Sequence, residues 1–405
     1  MSATPTLSKA SAANGTVPKV APKERSFAPY VVLALAALFF VTGNDQWMSI
    51  VNFMLIYAIA TLGLNVLSGY AGQVSLGLTF FMYIGAYTAA WLGGAPPDSA
   101  RSPVGLGLSF LIWLPASGIV AGIVGALVGP IALRLKNFYL GIVSLALVFI
   151  GQYIFDNAKG LSGGHQGRSF LAPAFGDNSL ARQNEIFGFI LTKEQQFFLL
   201  LMLILGLAAL FVHNVARSRA GRAFQAVRDN EVGAAIMGVN LLQAKMGAFI
   251  VSSFLAGIAG ALLASYVGYV GPDDWGLTLS IQFVAAIIIG GVASVWGSIL
   301  GAAFVFALPS VLDQLQLLPA NSTGHGFTSG DLSAILYGLL IVLFLLFEPR
   351  GIIGLLRRMQ RILLAHLPHL FQKGGDAPTT SSTELDYGAP LEVEHSALSR
   401  DESHE

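Results

Sequence analysis

Residues 245–268 read KMGAFIVSSFLAGIAGALLASYVG, and no residue after Lys245 in this run carries a charge. A helix needs about 20 mostly apolar residues to cross the hydrocarbon core of a bilayer, and this run supplies them. Its glycines suit membrane helices that approach each other closely. The same ruler laid along the chain in both directions gives nine more candidates. They lie near 28–43, 50–68, 76–93, 105–133, 138–155, 196–213, 278–295, 298–315 and 332–347.

Composition agrees with that count. Of the 405 residues 54% are hydrophobic and only 11% charged, with 46 glycines, where a soluble domain carries about 25% charged residues. The fold class is therefore all-α, a polytopic transmembrane helical bundle of about 8–10 spans, some short or broken. The 105–133 stretch holds Pro115 and Pro130, which predict a kink. With no cysteine in the chain, disulfides and thiolate chemistry are excluded.

The loops set the orientation, because Lys and Arg accumulate on the cytoplasmic side. With the amino terminus inside, 16 basic residues fall inside and five outside (Arg101, Lys159, Arg168, Arg182 and Lys193). Ten of the 14 acidic residues before Gly374 fall outside, including Asp273, Asp274, Asp313 and Asp331. Both termini are then cytoplasmic. Residues 1–27, rich in Ala, Ser, Thr and Pro, read as a disordered cytoplasmic tail rather than a cleaved signal. The transmembrane body follows over 28–348, with an outside segment at 156–195 and a long cytoplasmic loop at 214–244. Residues 349–372 mix apolar and Arg positions as an interfacial amphipathic helix does. Residues 373–405 form an acidic disordered tail.

Ionisable groups at membrane depth mark ion pathways, proton relays or catalysis. Here Asp156, Asp313, Asp331 and Glu348 sit at span ends, and His213 at the cytoplasmic end of its span. No mid-span carboxylate is placed to carry a proton or sodium ion, and no His/Glu pair has metal spacing. The HxxH pair His366 and His369 reads as incidental on a surface helix. No phosphate-binding GxxxxGK[ST] loop is present. Catalytic, cofactor and metal residues are therefore expected to be absent. If solute is moved uphill, energy has to come from a partner.

The 214–249 loop, NVARSRAGRAFQAVRDNEVGAAIMGVNLLQAKMGAF, is the place for such a partner to push. Good helix formers run from Ala223 to Ala235, with Arg228 and Glu231 three apart on one face. Gly221 and Gly238 punctuate the two ends. Spacing alone leaves two readings open, a force-transmitting helix or a solvated positive loop. The wording SRAGRAFQAVRDNEVGAAIMGVN resembles the coupling loop of branched-chain amino acid ABC transporter permeases of the LivM type. The resemblance continues in order through LNVLSGYAGQVSLG and IGAYTAAWL (64–92), LRLKNFYLGIVSLAL (133–147) and LSGGHQG (161–167). It runs on through FLAGIAGALLASYVGYVGPD (254–273), IIGGVASVWGSILGAA (288–303) and YGLLIVLFLLFEPRGIIGL (337–355). It implies a loop that docks on an ATPase subunit, with Arg222, Arg228, Asp229, Asn230 and Glu231 as candidates. It also implies two ABC ATPase chains, a second related (LivH-like) permease, a periplasmic solute-binding protein and a place in the bacterial inner membrane. The chain departs from the family at Leu78, where members often carry His, and in the PANSTGHGFTSGD run and acidic tail.

Two glycine-rich interruptions could free backbone groups for a solute. GYAGQVSLG holds Gly69, Tyr70, Gly72, Gln73, Ser75 and Gly77, and GGVASVWG holds Ser294. Tight packing of small residues accounts for the same glycines, and both readings stay open. The two interruptions precede Gly- and Ala-rich helices, which also fits a distant internal repeat. The expected function is import of branched-chain or other hydrophobic amino acids. Urea or short amides are the alternative within the family. A facilitative channel or secondary carrier is the alternative outside it. Partners are a small solute and membrane lipid, with no nucleic acid.

Overall fold

The computed structural model describes residues 44–94, 105–133, 137–170, 173–175, 178–180, 184–186, 189–271, 275–314, 329–347, 351–355 and 358. The expected first span (28–43), both terminal tails, His366, His369 and most of the expected interfacial helix lie outside them. The chain divides into two units, Met1–Arg357 and Arg358–Glu405, and the helical bundle belongs to the first.

Each of the other nine expected spans is met by a helix. These are α1 (Asp45–Leu64), α2 (Leu78–Gly93), α3 (Phe110–Leu133), α4 (Asn137–Asn157) and α5 (Lys193–Arg217), then the loop helices α6 (Arg219–Asp229) and α7 (Glu231–Ile236), and α8 (Leu241–Val267), α9 (Leu277–Gly290), α10 (Val295–Gln314) and α11 (Ser329–Phe347). Among the described residues, five helices are long and apolar enough to cross a membrane: α1 with its extension to Tyr70, α3, α4, α5 and α8. Helices α2 and α9, with 16 and 14 residues, are shorter. Pro115 and Pro130 lie within α3, whose helical assignment continues through both.

Helix α8 is central. Asn240 starts it by accepting the Gln243 amide at 3.1 Å, and Gly268 ends it in the left-handed conformation at φ 80°. Its 27 residues reach about 40 Å, and it packs on α1, α2 and α3. The α2–α8 contact is backbone to backbone: a Cβ at Gly85 would lie 2.1 Å from the Gly257 carbonyl oxygen, and one at Gly260 1.9 Å from that of Met82. Van der Waals contact between small residues replaces the hydrophobic effect as the force joining helices in lipid.

Helix α5 opens with a capping box, in which the Thr192 hydroxyl accepts the Gln195 amide and the Gln195 side chain accepts the Thr192 amide. After α5 the chain turns at Ser218, whose hydroxyl accepts the Gly221 amide at 3.2 Å. Helix α6 then buries Gly221, Phe224 and Val227 along one face. The run from Ala223 to Ala235, expected as one helix, is broken at Asn230. This residue is extended (φ −159°, ψ 105°), and its side chain caps α7 by accepting the Gly233 amide at 3.0 Å. Asn prefers the cap to the helix interior because its short side chain competes for backbone donors.

Candidate coupling and translocation site

Helix α1 does not stop at Leu64. It passes into a π-helical turn, Asn65–Tyr70, a form that is rare and concentrated at functional sites. Beyond it, residues 71–77 are non-helical. This segment penetrates the bundle. The Leu76 amide donates to the Ser144 hydroxyl at 2.8 Å, and Ser144 lies about 10 Å along α4 from its start. The Thr79 and Ser280 hydroxyls meet at 2.6 Å, with Ser280 about 15 Å along α9 from Gly290. Seven non-helical residues are long enough to cover such a rise. Helix α2 therefore starts inside the bundle, with Leu78 buried at its first turn.

Backbone groups within the break are satisfied locally. The Ala71 amide donates to the Val66 carbonyl and the Gln73 amide to that of Leu67, while the Ser68 hydroxyl donates to the Gln73 carbonyl. The Gly77 amide donates to the Ser75 hydroxyl at 3.3 Å. The Gln73 side chain is different. It is 4% exposed, and neither its amide nitrogen nor its oxygen has a hydrogen-bond partner among the described residues. Buried polar atoms are nearly always paired, so this amide is the most conspicuous unmet group in the break. Close by in sequence Val74 is 52% exposed, whereas Ser75 is buried and Tyr70 half-buried.

A second break, residues 291–294, separates α9 from α10. Ala293 sits there at φ 59°, the one non-glycine residue with positive φ among the described residues, a conformation disfavoured by its Cβ. The Ser294 hydroxyl accepts the Gly297 amide at 3.2 Å. Asn65 joins this break to the first. Its amide nitrogen donates to the Ser294 carbonyl at 3.1 Å, and its oxygen accepts the Ala293 amide at 2.9 Å. Asn65 is fully buried. A Cβ at Gly69 would fall 2.0 Å from its oxygen and 2.7 Å from the Ala293 nitrogen, so the junction closes only around a glycine.

The loop reaches the same place. The Arg228 guanidinium donates to the Gly69 carbonyl at 2.8 Å and to Asp229 at 3.3 Å. Gly72, at φ +68°, lies beneath the Arg228 stem, where a Cβ would come within 2.5 Å of Cγ. Thus Gly69, Gly72, Ser294 and Arg228 come together, while Gln73, Ser75 and Gly77 lie further into the bundle. Arg228 and Glu231 do not share a face as the spacing suggested. Glu231 pairs with Lys245 at 2.6 Å, and Arg222 donates to the Arg217 carbonyl at 3.0 Å. Gly221 packs against the end of α5, and Gly238 closes α7 at φ +84° with open space around it. The short helix α7 and its exit present Val232, Ile236 and Met237, which are 69%, 82% and 74% exposed. These three were not singled out by sequence. Neither was Asn65, though an asparagine in an apolar run is itself a signal.

At the opposite end of α1, Glu194 gathers the ends of three helices. The Asn52 amide donates to its carboxylate and its backbone carbonyl at 3.0 Å each, and the Tyr266 hydroxyl donates to the same carboxylate. In the segment between α4 and α5, His165 is solvent-exposed and 3.3 Å from Asp156. Arg168 is buried there, and burial lowers the pKa of its guanidinium while nearby Tyr87 opposes the shift. Arg168–Ser169 pairs antiparallel with Tyr269–Val270 at the exit of α8. Among the described residues no group of three or more His, Cys, Asp or Glu could hold a metal ion.

Comparison with known proteins places this arrangement. Residues 47–345 match the family described as "Branched-chain amino acid transport system / permease component". The high-affinity branched-chain amino acid transport system permease protein LivM of Escherichia coli K12 is 31% identical over 340 residues, covering 81% of this chain and 74% of that protein. LivM of Salmonella typhimurium is 30% identical with the same coverage. The autoinducer 2 import system permease protein LsrC of an Enterobacter strain is 34% identical over 124 residues, 28% of this chain and 36% of that one. No solved structure matches the chain significantly. With three-quarters of its length matched and both membrane breaks and the loop helices inside the match, the chain belongs to the family of permease components of branched-chain amino acid transport systems.

Proposed function

We propose that this permease forms the solute pathway of an ATP-driven importer of branched-chain or other hydrophobic amino acids. Two separate ATPase chains, a second related permease and a periplasmic binding protein complete the transporter, which sits in the bacterial inner membrane. The 214–244 loop is then cytoplasmic, and its ATPase-facing surface is the apolar exit of α7. The observation that carries this reading is the exposure of Val232, Ile236 and Met237 on a six-residue helix held by two caps and an ion pair. Apolar side chains raised on a polar loop are a contact surface that water does not favour. Asp229 and Arg222 supply the charged rim, as polar rims surround interface cores. A zwitterionic solute needs no charged side chain in the pathway, since the start of α2 inside the bundle offers backbone amides. Gln73 is the side chain proposed to meet the solute in the break. Closure of the ATPase partners moves the loop, and the chain itself makes or breaks no covalent bond.

The test is co-purification in mild detergent of tagged wild type beside Ile236→Asp. An ATPase that accompanies the wild type and is lost in the variant supports docking through α7. A wild-type chain that emerges alone, and takes up solute without ATP, ends this reading in favour of a channel or secondary carrier.

A further inference from the structure

Arg228 in the loop lies 159 residues after Gly69 and 65 before Ala293, yet one helical turn touches the loop and both breaks. Arg228 holds the Gly69 carbonyl at 2.8 Å. Four residues earlier in the same turn, Asn65 holds two consecutive residues of the second break, at Ala293 N and Ser294 O. Asn65 is fully buried, and Arg228, besides its exposed ion pair with Asp229, grips a backbone oxygen of the turn. A π-turn leaves carbonyls out of the regular helical ladder, so the Gly69 oxygen is open to an outside donor.

We propose that Arg228 is a positioning residue that ties the loop helices to both membrane breaks, so that one movement of the loop shifts the two breaks together. This rests on the reading of the loop as the ATPase-driven element, and it removes Arg228 from the docking surface. The chain of contacts runs from α7 and α6 through Arg228 to Gly69, along the turn to Asn65, and across to 293–294. Just beyond the turn, Gly72 sits in the left-handed region packed beneath the Arg228 stem. The turn is rigid where Asn65 and Gly69 are locked against Ala293.

The chain lacks cysteine, so spin labels can be placed at will. Leu203→Cys on α5 serves as reference, paired with either Met237→Cys on the loop or Val292→Cys in the second break; all three sites are exposed. In the purified complex with its ATPase chains, a non-hydrolysable ATP analogue is expected to change both distances. In Arg228→Gln the Met237 distance should still change, while the Val292 change is lost. Leucine moved per ATP hydrolysed should fall at least about fivefold, the lower end of typical coupling. Asn65→Ala cuts the link at its other end and should also abolish the Val292 change. If both distances still respond in Arg228→Gln and Asn65→Ala, there is no such tie. If neither responds in Arg228→Gln and the ATPase dissociates, Arg228 is a docking residue and the inference is wrong. A wild-type complex in which Met237 itself never moves sinks the ATP-coupled reading, and this inference with it.

Discussion

At the scale of single residues, the end of the bundle where α5 begins turns on one carboxylate. Glu194 starts α5 and receives hydrogen bonds from Asn52 on α1 and Tyr266 on α8. The Tyr266 hydroxyl also approaches Ser49 at 2.9 Å, and its ring packs edge-on against Phe53 and Phe197 at 5.0 and 5.1 Å. Tyr266→Phe keeps that ring and removes only the oxygen. Hydrogen bonds to charged groups are worth about 1.5–3 kcal/mol, against about 0.5–1.5 kcal/mol for neutral ones. Thermal unfolding in detergent should therefore show Tyr266→Phe less stable than wild type by about 1.5–3 kcal/mol, and Ser49→Ala by less. Equal losses in the two variants would mean that the carboxylate contact adds nothing.

At the scale of elements, helix spacing is set by glycines that no side chain can replace. Gly260→Ala puts a methyl 1.9 Å from the Met82 carbonyl oxygen, so α2 and α8 must separate. Overpacking of this kind costs about 1–3 kcal/mol. Gly206 on α5 is the control, because a Cβ there meets nothing within 4 Å, and alanine is the better helix former by about 1 kcal/mol. Unfolding in SDS should find Gly260→Ala destabilised and Gly206→Ala neutral or stabilised; a neutral Gly260→Ala would refute the close contact. The helices themselves are legible in the sequence because span length and hydropathy leave little choice: the apolar run at 245–268 is the helix Leu241–Val267. The break at 71–77 is legible only as a run of glycines. That it is non-helical and rises into the bundle is not, since glycines serve a closely packed membrane helix as readily as a break. The Asn65 junction pairs residues more than 200 positions apart through backbone atoms, which leave no side-chain signature at 293. Arg228 misleads for a related reason: spacing assigns it to a face shared with Glu231, and the Asn230 cap divides that face between two helices.

At the scale of the whole chain, burial separates two kinds of helix. In α1 and α8, 67% of the apolar window is buried, against 33% in α3 and 28% in both α4 and α5. The exposed residues of the second group are Leu127, Tyr153, Leu203 and others like them, and an apolar cavity of about 480 Å³ opens between α2, α3 and α4. Apolar faces of this extent mark contact with lipid or with another protein chain. Which side of the bilayer each loop occupies is a separate matter, argued from charge: Lys and Arg are retained inside, and the α5–α8 loop holds Arg217, Arg219, Arg222, Arg228 and Lys245. Each of two segments offers an exposed reporter, Met237 on that loop and His165 between α4 and α5. Because the chain has no cysteine, His165→Cys and Met237→Cys each give a single thiol. A membrane-impermeant maleimide applied to cells with a permeabilised outer membrane should label His165→Cys at once. It should label Met237→Cys only after the inner membrane is opened. The opposite pattern would invert the topology, put α7 out of reach of any cytoplasmic ATPase, and leave transport without ATP as the only mechanism compatible with the fold.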